Sequence, residues 1–167
     1  MEPIFTTTRL LVRRLELTDL DAFHQMQGNL KVMQYTTGRA MTFEENKAEL
    51  KRVIDCYTQS ENDFWVWAVL EKGSGNFVGT CALVKNGKGE NEIGYRFLER
   101  YWGKGYGKEI TLGLIDYGLS LPDMEELVAY VDKENVPSVK ILDATFNLVK
   151  EYWNEEERCV DRYYRIS

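Results

Sequence analysis

The stretch of sequence that decides the fold runs from residue 97 to residue 108 and reads FLERYWGKGYGK. Its first residues continue a run with strand character that starts at Asn91, and glycines follow at positions 103, 105 and 107. Glycine lets several backbone NH groups turn toward one point without interference from a Cβ atom. A helix is predicted directly after this turn, so its unpaired NH groups and its dipole add to the same point. The pattern predicts a binding site for phosphate.

The spacing of the glycines distinguishes this loop from two other phosphate-binding loops. It reads GxGxG rather than the GxGxxG of dinucleotide-binding folds, and no Gly-Lys-Ser or Gly-Lys-Thr follows at P-loop spacing. The loop also comes after three predicted strands, whereas a Rossmann loop belongs to the first βαβ unit. For such a cluster taken alone, an ordinary turn or helix entry stays open as the alternative.

The rest of the chain reads as an alternation of helical and strand-like periods without repeats or linkers. Helix-start patterns stand at Thr18 and Thr42, and turn residues separate the three central strands into an antiparallel meander. The predicted elements are a strand at 9–15, helices at 18–27 and 42–58, strands at 64–71, 77–85 and 91–98, a helix at 108–121, a strand at 127–131, a helix at 135–144, and strands at 149–153 and 159–165. This order predicts an α+β fold with a mixed, mostly antiparallel sheet of about seven strands and four helices on both faces.

Length and composition limit the possible classes of protein. A chain of 167 residues with 44% hydrophobic residues can bury one core, so we expect a single domain over residues 1–167. No apolar run approaches the roughly 20 residues that cross a bilayer, and the N-terminus lacks a signal-peptide pattern, which predicts a cytoplasmic protein without a membrane partner. The net charge of -6 disfavours nucleic acid as a partner. One histidine, His24, and three scattered cysteines indicate no metal site.

Residues 102–107 resemble the acetyl-CoA pyrophosphate loop of the GNAT acetyltransferases, which is written Arg/Gln-x-x-Gly-x-Gly/Ala. The likeness is strongest to the ribosomal-protein N-terminal acetyltransferase branch, in which a tryptophan such as Trp102 often replaces the Arg or Gln. Three other stretches resemble that branch: TTRLLVR at 7–13, EIGY at 92–95 and NVPS at 135–138. The resemblance covers nearly the whole chain. It implies one GNAT domain that transfers an acetyl group from acetyl-CoA to a primary amine.

The resemblance also implies where the co-substrate binds. In the family fold a bulge near Phe97 splays the fourth strand from the fifth and opens a slot for pantetheine. Backbone groups of Phe97 and Leu98 would pair with the pantetheine amides, and an NH of this stretch would polarise the thioester oxygen. Asn135 would contact the pantetheine from the other side, or else cap a helix. The residues expected against the pyrophosphate are Trp102, Gly103, Lys104, Gly105, Tyr106, Gly107 and Lys108.

Two residues are the catalytic candidates that the resemblance implies. Only a neutral amine attacks the thioester, and Glu92 would collect its proton if burial raises the pKa of this carboxyl. An exposed strand glutamate or a salt-bridge partner is the alternative for Glu92. The family's usual tyrosine, which protonates the departing thiolate, would fall at Leu142 and is therefore absent. Ser138 is implied as the donor instead, with an ordinary first-turn helix serine as the alternative.

The sequence does not identify the acceptor, which could be a protein N-terminus, an amino sugar, a polyamine or an antibiotic amine. The oligomeric state is equally open between a monomer and a homodimer. Two other functions compete with acetyl transfer. One is a non-catalytic acyl-CoA-binding sensor, for which the missing tyrosine is the hint, and the other is a nucleotide-binding domain of another fold.

Overall fold

The computed structural model describes residues 2–167, which form one open sheet with helices on both of its faces. Its strands are β1 (Phe5–Thr6), β2 (Leu10–Arg14), β3 (Phe64–Glu71), β4 (Phe77–Lys85), β5 (Asn91–Phe97), β6 (Leu127–Asp132), β7 (Asn147–Asn154) and β8 (Cys159–Ile166). Its helices are α1 (Leu20–Gln27), α2 (Leu30–Met33), α3 (Phe43–Cys56), α4 (Tyr106–Ser120) and α5 (Val136–Thr145). The strand order is β1-β2-β3-β4-β5-β6-β8-β7.

The predicted α+β architecture is confirmed, with one strand and one helix more than expected. The additional elements are β1, which has two residues, and α2, which has four. Segments this short show neither the strand nor the helical period, so periodicity does not reveal them. All pairs of neighbouring strands are antiparallel except β5 with β6, which are parallel.

The two helix-start patterns gave different outcomes. Thr42 caps α3 as predicted: its hydroxyl accepts from the Glu45 NH at 3.2 Å, and the Glu45 carboxylate accepts from the Thr42 NH at 3.1 Å. The start predicted at Thr18 is wrong. A 3-10 turn at Leu17–Asp19 precedes α1, and Asp19 accepts from the Glu16 NH at 2.8 Å, so the reciprocal cap is built two residues earlier.

The opposite faces of β5 contact different helices. The Arg96 side chain donates to Gln27 at the end of α1, whereas a Cβ added to Gly107 in α4 would lie 3.3 Å from the Tyr95 ring. Successive residues of a strand point to opposite faces, so α1 and α4 cover opposite sides of the sheet. The core between them includes fully buried Trp67 and Tyr164.

The slot predicted between the family's fourth and fifth strands is present between β5 and β6. Within residues 2–167 these two strands pair at a single position, Glu92 with Val128, and separate toward Phe97. The bulge expected near Phe97 is wrong, because β5 pairs with β4 in unbroken register from Asn91 to Phe97. The slot therefore arises from the divergence of two parallel strands. None of the helices between residues 2 and 167 is long and apolar enough to cross a membrane.

Candidate active site

The loop between β5 and α4 presents a row of unpaired backbone NH groups. Those of residues 105 to 108, which open α4, donate to no acceptor within residues 2–167. They are the orphan donors that every helix start leaves, and here they point out of the first turn beside the end of β5. Lys104 and Lys108 are exposed on the same loop and add positive charge. This row of free donors lies in the segment where the glycine pattern predicts a phosphate site.

Two of the three glycines shape this loop through their backbone conformation. Trp102 at φ -67 and ψ 155, followed by Gly103 at φ 76, has the angles of a type II turn, whose third residue needs a positive φ. Gly105, the N-cap of α4, has φ 82. Side chains other than glycine rarely adopt these angles, so both positions require glycine for conformational reasons.

Gly107 has a different role from the one that the glycine pattern suggested. It lies inside α4, and a Cβ at this position would be 2.9 Å from Ile141 Cδ1 and 3.3 Å from the Tyr95 ring. Glycine at this position therefore allows α4 to approach α5 and β5 closely. This reason depends on contacts between distant parts of the chain, which the local pattern does not reveal.

Arg9 anchors the loop from the start of β2. Its Nη1 donates to the Lys104 carbonyl at 2.8 Å, and its Nε donates to Glu109 at 2.7 Å. Glu109 also accepts from the Arg9 backbone NH at 2.7 Å, and the guanidinium carbon lies 4.5 Å from the centre of the Tyr106 ring. No local pattern in the sequence predicts this anchor. A first-turn acid in α4 is visible in the sequence, but its partner lies 100 residues away.

Trp102 and Leu98 close the loop onto the sheet. The Trp102 indole NH donates to the Phe97 carbonyl at 2.9 Å, although the ring is 47% exposed. The Leu98 NH donates to the Val78 carbonyl and its own carbonyl accepts from the Tyr101 NH, both at 2.9 Å. The backbone groups of Leu98 are thus already paired within the protein, which corrects the expectation that they would pair with pantetheine.

Other backbone groups of β5 face the slot. Because the Leu98 NH is directed to β4, alternation along an antiparallel ladder directs the backbone groups of Tyr95 and Phe97 toward β6. The divergence of the strands after Glu92 leaves these groups without a strand partner. Phe97 does not line the cavity that passes through this slot, whereas Tyr95 does.

One cavity of about 760 Å³ passes through the slot and brings the predicted side chains together. Glu92, Asn135 and Ser138 all line it. Tyr95 and Arg96 also line it, so the cavity reaches both faces of the sheet. A ligand entering from the α4 side can therefore meet one entering from the α1 side.

Glu92 has the environment of a weakened acid. Burial raises the pKa of this carboxyl above its ordinary value, and the negative charge of Glu90 acts in the same direction. The Asn86 amide donates to Glu92 at 3.1 Å and opposes this shift. Glu92 forms no salt bridge with the residues that the structure describes, so neither alternative reading, an exposed glutamate or an ion-pair partner, fits.

Ser138 and Asn135 approach the slot from α5. The Ser138 hydroxyl oxygen lies 3.0 Å from the Tyr95 hydroxyl oxygen, so a tyrosine stands beside this serine although Leu142 occupies the family's tyrosine position. Asn135 is the N-cap of α5 by position, but its side chain makes no capping hydrogen bond and lines the cavity. Tyr95 was not among the predicted site residues, because its neighbour Ser138 lies on a distant element.

Comparison with known proteins identifies the family. Residues 9–145 match the family model described as the acetyltransferase (GNAT) domain. The chain belongs to the GNAT acetyltransferase family. As a member of it, the protein is an acetyl-CoA-dependent N-acetyltransferase, as the resemblance implied.

Three similar proteins illustrate the range of this GNAT family. An uncharacterised N-acetyltransferase, p20 of Bacillus licheniformis, is 28% identical over 98% of this chain and 94% of its own length. The spermidine N(1)-acetyltransferase of Escherichia coli K12 is 26% identical over 78% of this chain and 68% of its own. The structure of RimL, a ribosomal L7/L12 α-N-protein acetyltransferase in complex with coenzyme A, has a TM-score of 0.82, with 16% identity over 99% of this GNAT chain and 97% of RimL.

Proposed function

We propose that this GNAT enzyme binds acetyl-CoA from the α4 face of the slot and a primary amine from the α1 face. The observation that carries the proposal is the cavity that joins Ser138 and Tyr95 to Glu92 and is also lined by Thr111 of α4. The unpaired NH groups of residues 105 to 108 open the same helix but do not line the cavity. Acetyl-CoA supplies the activated acyl group. The protein holds it, positions the amine and moves two protons.

The unpaired NH groups of residues 105 to 108 would hold the pyrophosphate, because they combine free donors with the positive end of a helix. Lys104 and Lys108 add charge from the same loop. The backbone groups of Tyr95 and the Phe97 NH, which face the slot, would pair with the pantetheine amides as an added strand does. Asn135 lines the cavity on the other side of the slot, where its free side-chain amide would bind the pantetheine.

Glu92 would accept the proton of the amine, directly or through water. At pH 7 a lysine-like amine with a pKa of about 10.4 is held back by roughly 4 to 5 kcal/mol, and an α-amine near 8 by only about 1 to 1.5 kcal/mol. A carboxylate with a raised pKa is a stronger base than an ordinary one, and burial supplies that shift at Glu92.

Ser138 and Tyr95 would donate the proton that the departing thiolate takes. Each hydroxyl is a donor, and their separation of 3.0 Å lets Tyr95 replenish Ser138. The alternative of a non-catalytic acyl-CoA sensor depended on a missing tyrosine. The hydroxyl of Tyr95 beside Ser138 supports turnover over that alternative.

The test measures thiol release from acetyl-CoA across a panel of primary amines, with coenzyme A binding followed by isothermal titration. We expect amine-dependent release, and Glu92→Gln should lower kcat/KM mainly below the pKa of the acceptor without weakening coenzyme A binding. Binding without consumption of acetyl-CoA by any amine would favour the sensor. Equal loss at every pH would assign Glu92 a structural role.

A further inference from the structure

The cavity wall contains a partly buried arginine that the proposed mechanism does not use. Arg96 lies four residues after Glu92 on β5, and both line the cavity. Its Nη1 donates to the Gln27 side-chain oxygen at 2.6 Å. A guanidinium has five donors, so most of its hydrogen-bonding capacity stays free. Within residues 2–167, no carboxylate lies within salt-bridge distance of it.

Within residues 2–167 no carboxylate pairs directly with Arg96, although five acidic residues line the same cavity: Glu49, Glu92, Asp132, Glu157 and Asp161. Glu49 is the acid whose charge acts on Arg96, but its two oxygens accept from Arg52 at 3.0 and 2.9 Å. Burial lowers the pKa of the Arg96 guanidinium, yet arginine has so high a pKa that it stays charged at neutral pH. A charge partly withdrawn from water without an ion-pair partner is unfavourable, and a ligand that pairs with it gains binding energy.

The cavity is open between Arg96 and Glu92. Gly94 lies between them on the same face of β5, and a Cβ built on Gly94 would meet no atom within 4 Å. Four strand residues span about 13 Å, and the side chains at both ends of this span line the cavity. This part of the cavity thus has the Glu92 carboxylate at the end near β6 and the Arg96 guanidinium at the end near α1. Between them there is room for a ligand above Gly94.

We propose that the amine acceptor carries a carboxylate group, which Arg96 binds while the amine lies toward Glu92 and the slot. The inference rests on the proposed function, since it assigns the acceptor to the α1 face. A guanidinium binds a carboxylate through two parallel hydrogen bonds, which fixes the orientation of the acceptor. A protonated polyamine has no group that accepts a hydrogen bond from a guanidinium, so Arg96 would not bind it in this way.

The test compares ω-amino acids of increasing length and dipeptides bearing a glutamate side chain with their carboxamides. Binding is measured by isothermal titration with coenzyme A present, and transfer by thiol release. For at least one length we expect the carboxylate to bind and to react at least tenfold better than its amide. Arg96→Gln should remove this preference and leave the coenzyme A Kd unchanged. Equal binding of acid and amide, or a preference for spermidine, would overturn the proposal.

Two further variants keep the result interpretable. Arg96→Lys retains the charge and a donor for Gln27 but loses the planar fork, so an intermediate preference is expected. Gly94→Val fills the open space above residue 94. It should weaken the binding of acids and of amides alike, while coenzyme A binding stays intact. A preference for carboxylates that survives Arg96→Lys and Arg96→Gln unchanged would refute the role of Arg96.

The remaining outcomes separate the two proposals. A carboxylate preference in binding that depends on Arg96, without thiol release from any amine, would support the acceptor chemistry and contradict the proposed transfer. Phosphoethanolamine tests whether the site prefers a different anion, a phosphate. If it binds better than every carboxylate and loses this advantage in Arg96→Gln, the assignment of a carboxylate is wrong and a phosphate takes its place.

Discussion

The Tyr95 hydroxyl lies 3.0 Å from the Ser138 hydroxyl, a hydrogen bond that joins β5 to the first turn of α5. Burial raises the pKa of Tyr95 above its ordinary value, and the bond to Ser138 opposes this shift. Tyr95 is therefore protonated throughout the neutral range. Both residues face the cavity, so either hydroxyl can direct its proton into the slot.

Removing either hydroxyl should slow the departure of the thiolate. General acid catalysis typically contributes about 10² to 10⁴-fold, but a thiolate with a pKa near 8.5 is already a fair leaving group. Ser138→Ala should therefore lower kcat by roughly 5 to 100-fold, and Tyr95→Phe by a smaller factor. The double variant should lose less than the product of the two, because the hydroxyls act as one unit. Steady-state kinetics and coenzyme A titration measure this.

Tyr95→Phe is a controlled substitution, since it keeps the ring that packs against Gly107. Coenzyme A affinity should stay within about threefold of wild type in all three variants, because neither hydroxyl is placed on the pyrophosphate. A kcat that hardly changes with any acceptor would make Ser138 an ordinary helix residue.

The unpaired NH row of residues 105 to 108 predicts a specific effect of Gly105→Val. A β-branched residue at φ 82 is strained by about 1 to 3 kcal/mol and disturbs the NH row. We expect the KM for acetyl-CoA to rise at least tenfold in a folded protein. The matched control is Gly75→Val in the turn between β3 and β4, where φ is 75 and the added side chain meets open space. This control should lose a similar amount of stability but keep the wild-type KM. An equal rise in KM in both variants would show that the NH row of residues 105 to 108 does not account for the effect.

Features that depend on local sequence were predictable. The Thr42 cap, the meander of β3 to β5 and the glycine conformations at 103 and 105 each follow from residues within a few positions of one another. The placement of Glu92 and Ser138 on one cavity came from the resemblance to a family, because no local period brings these residues together.

Features that depend on distant contacts were missed or misjudged. Arg9 and Glu109, or Tyr95 and Ser138, become neighbours only when the sheet and helices pack. The expected bulge near Phe97 failed for a related reason. The slot depends on how β6 diverges from β5, which is a relation between two strands, and not on an irregularity within one of them.

The contact between Arg9 and the loop that precedes α4 predicts that its loss weakens co-substrate binding. Arg9→Gln removes the hydrogen bond to the Lys104 carbonyl and the ion pair with Glu109. The loop should then lose its fixed orientation, and we expect the KM for acetyl-CoA to rise several-fold with little change in kcat. Exposed ion pairs contribute little by themselves, so Lys51→Gln, which breaks the exposed pair with Asp55, is the control. If both variants leave the KM unchanged, the anchor has no role in binding.

The burial of Glu92 predicts a conflict between activity and stability. Because the pKa of this carboxyl is higher in the folded protein than in the unfolded chain, the folded state binds more protons between the two values. The free energy of unfolding therefore falls as pH rises from the unfolded pKa through the folded one. At pH values above the folded pKa, the ionised carboxylate destabilises the folded state. At pH values below both pKa values, the carboxyl is protonated and has no such effect.

Glu92→Gln removes this cost while the amide can still accept from Asn86. The variant should melt a few degrees above wild type at pH 7.5, with a smaller difference at pH 4, although it has lost its proposed base. Glu125→Gln, which removes one charge from an exposed position, is the control and should change the melting temperature little at either pH. Thermal unfolding at the two pH values measures this effect. If Glu92→Gln is less stable at pH 7.5 than at pH 4 relative to wild type, the carboxylate stabilises the fold through its charge, and its proposed role as a raised-pKa base loses its physical basis.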